Sequence, residues 1–493
     1  MRDPLFIGVD IGTQGTKAAL FSRDGRLLAE SFEPSRLITP REGEVTQEPE
    51  EIVGSVARTI RELFASSGEE PGRAAAIGID GQMAGILGVD EDFRAVTPYD
   101  SWLDTRCGKY IPVMKVREEE IISKTGGQVT YAHGPKILWW KGERPDDYRR
   151  IAKFVTLSGY AAGRLCGLSA GEAFIDTTYL HFTGFADNRG KQWDEALLEA
   201  FGVDGGKLPA IVPPETIVGC LTAEAAAACG LPAGVPVAAG CGDTAASSLG
   251  AGILEKGQAY DVAGTASVFA CCTDRFTPDV GRKTLLFARS AVEGLYIPLA
   301  YIGGGGLCLK WFADARGMSL RELDRLAEEV VAGSGGLFFL PHFSGRTCPA
   351  DDRVRGGWLG LTFAHGDGAL YRSILEAVAY EYHSYLEALR EAGEGTLPRR
   401  ILGAGGGAKS RLFCQIKADV LGIPYYPLER GDTAPFGAAM LAGFGAGEYG
   451  SLREAIAGRI ETGEPILPRP EMTARYQPLA RRYLEILDAA GSL

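Results

Sequence analysis

The chain has 493 residues, more than one hydrophobic core holds, so two or three domains are expected. Hydrophobic residues make up 45% and charged residues 23%, an ordinary globular balance, and no run of about 18 uncharged apolar residues supports a membrane span. A net charge of −12 argues against a broad nucleic-acid-binding face, so an anionic ligand needs local help from a lysine, a helix N-terminus or a metal. The N-terminus opens "FIGVDIGTQGTKAALFSRDGRLLAESF", which parses as three strands: Leu5 to Ile11, Lys17 to Ser22 and Leu27 to Phe32. Asp24-Gly25 between apolar runs is a hairpin signal. The loop "GTQGT" therefore joins two antiparallel strands, which excludes a Walker A loop and a Rossmann fingerprint, both of which lead from a strand into a helix.

Next, Ile52, Val53, Val56, Ile60, Leu63 and Phe64 recur at helical spacing, with Pro49 to open the helix and Gly68 to follow it. "AAAIGIDGQMAGILGVD" reads as a buried strand, a turn at Asp80-Gly81 and another strand. Three strands, a helix and a strand begin a ribonuclease-H-like domain.

A second event starts near residue 235. "VPVAAGCGDTAASSLGAG" runs from a strand into a small-residue helix, and "DVAGTASVFA" repeats the Gly-Thr hairpin of the opening. Two copies at equivalent places suggest two related domains facing one ligand. Further along, Gly303 to Gly306 precede an apolar helix. Gly403 to Gly407 lie between a strand and a helix from about Lys409 to Val420. "DTAPFGAAMLAGFGAG" is an Ala/Gly-rich helix able to pack its backbone closely. From Met472 the chain reads as an amphipathic helix.

Candidate chemistry follows these landmarks. Glycine lets backbone approach a phosphate and threonine offers a hydroxyl, with Lys17 to add charge. Either hairpin alone is equally a plain turn, and their pairing favours phosphate binding. Asp243 in "GCGDTAAS" sits at an N-cap position. It is a helix cap, or a general base kept ionised by the helix N-terminus with small neighbours leaving room for substrate. Trp102, Asp104 and Arg106 line a polyol pocket or form a solvated loop anchored by Trp102. The histidines show no metal-ligand spacing, and GxSxG and HExxH motifs are absent, which leaves hydrolase readings unsupported. Ten cysteines include no CxxC pair and no zinc-like cluster, so they read as small buried residues in a reducing cytosol. The N-terminus does not read as a signal peptide, and a cytoplasmic location is expected.

In order along the chain, "DIGTQGTK", "GQMAG", "PKILWW", "GCGDTAAS", "AGTAS", "GGGGLCLKW", "LYRSILEAVAY" and "GAGGGAKSRLF" resemble the motifs of the FGGY carbohydrate kinases, within the sugar kinase/Hsp70/actin superfamily. The resemblance implies an α/β fold of two ribonuclease-H-like, actin-like ATPase domains around a deep cleft. The N-terminal domain, residues 1–242, would bind sugar, and the C-terminal domain, residues 243–493, would bind ATP. It implies ATP and Mg²⁺ as cofactors and a small sugar or polyol as acceptor, with no nucleic-acid or membrane partner; a homodimer stays open. Asp243 matches the catalytic base, which also contacts substrate, and Asp10 matches the acid near magnesium, holding it through water. Gly12, Thr13, Gln14 and Lys17 match the first phosphate loop, and Gly264 with Thr265 the second. Gly306 and Lys310 match the glycine turn, and Gly406 with Gly407 the adenosine loop. Gln82, Met83, Trp102 and Asp104 match the sugar side.

The pattern is xylulokinase-like, which implies a ketose such as a pentulose. That subgroup usually reads Gln-Met-His-Gly, whereas this chain reads Gln82-Met83-Ala84-Gly85. Thr244 stands where Asn or Gln is usual after the base, and Ala369 replaces a polar residue. These departures leave the acceptor and its hydroxyl open among ketoses, glycerol and sugar acids. The rival from another class is an ATP-binding clamp without chemistry, which the retained Asp10 and Asp243 speak against.

Overall fold

A computed structural model describes residues 3–393 and 397–491. The N-terminal hairpins form as the alternation dictates. Strand β1 (Leu5–Ile11) pairs antiparallel with β2 (Gly15–Ser22), and β2 with β3 (Leu27–Pro34). The second strand thus begins inside "GTQGT", two residues earlier than its apolar run suggests. Helix α1 (Pro49–Ser67) starts on Pro49 and ends on a left-handed Gly68, whose N–H bonds the Phe64 carbonyl. It leads into β4 (Ala74–Gly81), which lies parallel to β1. Asp80-Gly81 is therefore the end of a strand rather than a turn, because pairing with β1 continues through both residues and the chain bends only afterwards. Ile217–Cys220 and Pro236–Ala238 extend the sheet beyond β4, and Cys241–Gly242 pairs with the end of β4. Gly242 then caps helix α2 (Asp243–Gly250), so Asp243 is its first helical residue and not its cap.

The chain next builds a second unit. Strand β5 (Gln258–Ala263) pairs antiparallel with β6 (Ser267–Cys271), and β6 with β7 (Tyr296–Ile302). Helix α3 (Gly305–Arg316) takes Gly305 and Gly306 into its first turn. After the long helix α4 (Asp367–Glu391), β8 (Arg400–Ala404) lies parallel to β5, and β9 (Tyr425–Pro427) parallel to β8. A short 3-10 turn at Gly406–Lys409 delays the following helix to Arg411–Leu421. The run β7-β6-β5-β8 repeats the run β3-β2-β1-β4: two antiparallel pairs, then a parallel strand reached through a helix. The Gly-Thr repeat marks the same hairpin in each sheet.

The last element of interest returns to the first unit. Helix α5 (Thr433–Gly445) belongs with the N-terminal sheet, and the first unit comprises Met1–Leu254, Phe287–Leu295 and Asp432–Ile460. The second unit holds Glu255–Leu286, Tyr296–Gly431 and Glu461–Leu493. A single boundary after 242 does not describe this division. Alternation along β1 explains why α5 is needed: Leu5, Ile7, Val9 and Ile11 join the core under α1, while Phe6 joins the core under α5. Gly8 and Gly78 lie opposite each other in β1 and β4 on the Phe6 side. A Cβ on Gly8 would stand 1.7 Å from the Pro435 carbonyl oxygen, and one on Gly78 would stand 2.0 Å from that of Ala438. The Ala/Gly-rich helix thus packs backbone against sheet.

Candidate active site

Two residues beyond each backbone contact of α5, the same face of the sheet turns acidic. Asp10 and Asp80 are opposite one another in the parallel pairing of β1 and β4, following Gly8 and Gly78 at period two. Both stand at the C-terminal ends of their strands, where open α/β sheets place ligands. Asp80 is 0% exposed, and no N–H or hydroxyl donor reaches either carboxylate oxygen; its contact is with the Asp10 carboxyl. Asp10 is partly exposed. Cys241 registers with Asp80, and Asp243 follows two residues later as the opening residue of α2. Burial, then the charges of Asp10 and Asp243, hold the Asp80 carboxyl well above the usual range. Burial also raises Asp10, opposed by its contact with Asp80 and by the charge of Lys17. Burial first, then the charge of Asp10, pushes Asp243 up to about 7, against bonds from Thr244. These are the thermodynamic marks of carboxylates crowded where little water can solvate them.

Several groups hold Asp243 in place. The Gly242 N–H donates to Thr178 Oγ1 (2.9 Å), and Thr178 donates through both its N–H and its hydroxyl to the buried Asp176. Met83 occupies the space over Gly242 that a side chain would need, with Cε 2.5 Å from an added Cβ. The Thr244 N–H (2.6 Å) and hydroxyl (3.2 Å) both bond Asp243 Oδ1. Helix α2 itself is clamped on α5: a Cβ on Gly437 would fall 2.1 Å from the Ala246 carbonyl oxygen.

The positions expected to face a sugar divide. Trp102 Nε1 donates to Thr13 Oγ1 (2.9 Å), whose hydroxyl reaches Gln82 Oε1 (3.5 Å). Gln82 Nε2 donates to Gln47 Oε1 (2.7 Å), and Gln47 Nε2 to Ser35 Oγ (2.8 Å). Ser35 closes the circuit through its N–H to the Gln14 carbonyl (3.0 Å). Thr13 is thus a clip between the hairpin loop and the Gln82–Trp102 pair. Trp102 keeps 46% of its surface exposed, so its ring remains available for contact. Ala84 adopts a left-handed φ of 62°, an uncommon conformation for a residue with a side chain. Asp104 behaves differently: its oxygens accept from the Val45 N–H (2.9 Å), the Arg106 N–H (3.1 Å) and Arg106 Nε (2.8 Å). Arg106 also bridges to Asp100 (2.5 Å) and Glu44 (3.2 Å). This pair latches a loop together and presents no open carboxylate.

The hairpin loops offer space more than donors. The Gly12 N–H is used by the Gly15 carbonyl (3.0 Å), and the Gly264 N–H by the Ala266 carbonyl (2.9 Å). Lys17 lies opposite Asp10 in the hairpin, yet its ammonium sits 2.8 Å from Glu30. In the second unit, Gly264 and Thr265 are exposed, and α3 begins against them: the Leu307 N–H bonds the Thr265 carbonyl (3.1 Å). Any Cβ on Gly306 would meet the Gly264 carbonyl oxygen at 1.6 Å. Gly407 packs against Ala263, where an added Cβ would be 2.4 Å from its methyl, while Gly406 is exposed and opens outward. Lys310, one turn into α3, pairs with Asp314 at 2.8 Å on the exposed face. The second unit therefore gathers Gly264, Thr265, Gly306, Gly406 and Gly407 around the end of β5, with Lys310 turned to its own helix neighbour.

Sequence reasoning passed over Asp80, Thr178, Asp176 and Gln47. For Asp80 a signal existed: an acid closing the apolar run of a strand, as Asp10 does in the first strand. The other three owe their position to long-range packing that no local pattern encodes.

Residues 5–250 match the model of the N-terminal domain of the FGGY family of carbohydrate kinases, and residues 284–446 match that of its C-terminal domain. Xylulose kinase of Bacillus subtilis is 28% identical over 488 residues, covering 97% of this chain and 96% of that protein. Gluconokinase of the same organism is 27% identical over 498 residues, covering 97% and 95%. The crystal structure of xylulose kinase from Rhodospirillum rubrum superposes with a TM-score of 0.91 at 29% identity, covering 98% of each chain. No helix of the described residues is long and apolar enough to cross a membrane.

Proposed function

The chain belongs to the FGGY family of carbohydrate kinases and is a phosphotransferase with an alcohol group of a sugar as acceptor; from that premise we propose that it transfers the γ-phosphoryl group of Mg-ATP to a hydroxyl of a ketose such as a pentulose. Asp243 carries the reading. A carboxylate whose pKa is lifted to about 7 is matched to removing a hydroxyl proton near neutral pH. It opens a helix, is braced by Thr178 and α5, and lies beside a second acid, Asp10. Magnesium fits this end of the sheet, because Asp80 supplies buried oxygens that no protein donor satisfies and Asp10 lies next to them. The ion would neutralise charge on the phosphoryl oxygens. Asp10 is its anchor, through water.

The nucleotide phosphates are assigned to the exposed Gly264-Thr265 turn and the N-terminal end of α3, where side-chain-free backbone and the helix dipole favour an anion. Gly406 and Gly407 take the adenosine. Gly12 and Gln14 line the first loop. Gln82, Met83 and Trp102 orient the acceptor; Ala84 leaves that side without an imidazole donor, so hydroxyl recognition falls to Gln82 and its neighbours. Ten free cysteines suit a reducing compartment, and the proposal places the enzyme in the cytoplasm.

The experiment incubates the protein with ATP and a panel of ketoses, aldoses, polyols and aldonates and reads ADP release. Acceleration by a ketose supports the proposal. Acceleration only by glycerol or an aldonate reassigns the acceptor, and ADP release that no acceptor accelerates favours an ATP clamp without chemistry.

A further inference from the structure

The proposed function gives magnesium one protein anchor, Asp10; the fold supplies a second acid that no motif assigns. Asp80 stands beside Asp10 on the neighbouring parallel strand, on the same face, at matching register. Paired strands lie about 4.8 Å apart, so two carboxylates are side by side with no room for an intervening side chain. Ionised carboxylates only accept hydrogen bonds. Other buried acids of this chain find donors: Asp176 takes two bonds from Thr178, and Asp261 takes Tyr382 and Tyr425, each at 2.7 Å, together with Lys417. Among the described residues Asp80 is the one carboxylate with both oxygens buried and reached by no N–H or hydroxyl donor, its contact being with the Asp10 carboxyl. Lys17, across the hairpin from Asp10, is engaged by Glu30.

We propose that Asp80 and Asp10 together form a divalent-cation seat, with Asp80 the second protein carboxylate for the metal of Mg-ATP. Magnesium is commonly held by one or two carboxylates, with waters and substrate phosphates completing its shell. No group of three or more His, Cys, Asp or Glu among the described residues can hold a metal alone. The seat is therefore incomplete without phosphate oxygens, and cation and nucleotide bind synergistically. Asp80 is the inner member, at 0% exposure, and Asp10 the outer. The inference rests on the chain being a Mg-ATP-dependent kinase.

The test uses Mn²⁺ as the probe. Free Mn²⁺ is followed by electron paramagnetic resonance during titration of the full chain with a non-hydrolysable ATP analogue present, for wild type, Asp80→Asn, Asp80→Ser and Asp10→Asn. Asn and Ser remove the charge and keep the size or polarity of the site. At least one of the two Asp80 variants, checked for native circular dichroism, is expected to bind Mn²⁺ about tenfold more weakly, the loss typical when a group supporting a metal is removed. A loss under threefold in both overturns the proposal and leaves Asp80 a neutral acid bonded to Asp10, a state that Asn mimics. Should neither variant fold, the wild type decides: Mn²⁺ binding that the analogue does not strengthen overturns the proposal, and strengthening supports it. Retention of full affinity by Asp10→Asn, by contrast, removes the anchor assigned under the proposed function. Acceptor-dependent ADP release by the wild type tests that function separately.

Discussion

Asp243→Asn separates the chemical reading from a structural one, because the substitution acts on stability and on catalysis in opposite directions. In the folded chain the carboxyl is raised from 3.8 to about 7 by burial and by the charge of Asp10. Keeping it ionised inside the fold therefore costs up to roughly 4 kcal/mol, at about 1.4 kcal/mol per tenfold change. The sign is fixed by linkage. Below pH about 4 the group is protonated in both states and the cost is absent. Between about 4 and 7 the folded chain holds the proton and the unfolded chain has released it, so stability declines as pH rises. Above 7 the loss is complete and level. Asparagine does not titrate. The variant should thus match wild type in thermal midpoint at pH 4 and below and exceed it by several degrees at pH 8, in metal-free buffer. Over the same range acceptor-dependent ADP formation by wild type should rise about tenfold per pH unit to a plateau above 7, and the variant should show none. A stability gap that does not change with pH, or turnover in the variant near that of wild type, would refute the assignment of Asp243 as a strained base.

Four further outcomes follow from the packing. Gly8→Ala should cost about 3 kcal/mol or more, because its methyl collides with the Pro435 carbonyl; soluble expression and urea unfolding report it. Asp104→Ala should destabilise the first unit by about 3–5 kcal/mol by leaving Arg106 with one fewer partner in a largely buried setting, while the acceptor KM of whatever protein stays folded is unchanged. Thr13→Val should raise the acceptor KM severalfold with little change in ATP affinity, since it removes the link between Trp102 and Gln82; fluorescence of Trp102 and steady-state kinetics separate the two. Gly306→Ala should weaken binding of a fluorescent ATP analogue at least tenfold by displacing α3 from the Gly264 turn, with acceptor binding retained.

Much of this architecture is legible locally. Hairpins announce themselves through Asp24-Gly25 and the two Gly-Thr turns, and α1 through Pro49, its apolar spacing and Gly68. The repeated sheet order then follows from repeated hairpins. Local signals mislead where pairing overrides them. Asp80-Gly81 reads as a turn, yet β1 extends far enough to keep both residues in the sheet, and that extension turns a loop acid into a buried one. Lys17 reads as a phosphate ligand, but Glu30 on the next strand intercepts it. Asp104 and Arg106 read as a sugar contact, while their spacing of two residues lets the guanidinium fold back onto the carboxylate. Asp243 is legible as an acid between strand and helix. Its pKa is not, since that depends on Asp10 arriving from more than two hundred residues away.

Because α5 comes from near the end of the chain and covers Gly8 and Gly78 near its beginning, the first unit is incomplete for most of its own synthesis. A ribosome adding about 5–20 residues per second needs roughly 10–40 s to pass from residue 254 to residue 445. Throughout that interval the Phe6 face of the nascent sheet, with Ala19, Phe21 and Ala76, lacks its cover. The second unit gathers its sheet from residues 258–427 before α5 emerges, yet it still awaits the Pro470–Ala490 helix, whose Tyr476 and Tyr483 bond Glu376 and Glu381 in its core. The first unit therefore matures long after its first strands emerge, and a holdase that shelters exposed sheet would act on it in the half minute before α5 docks.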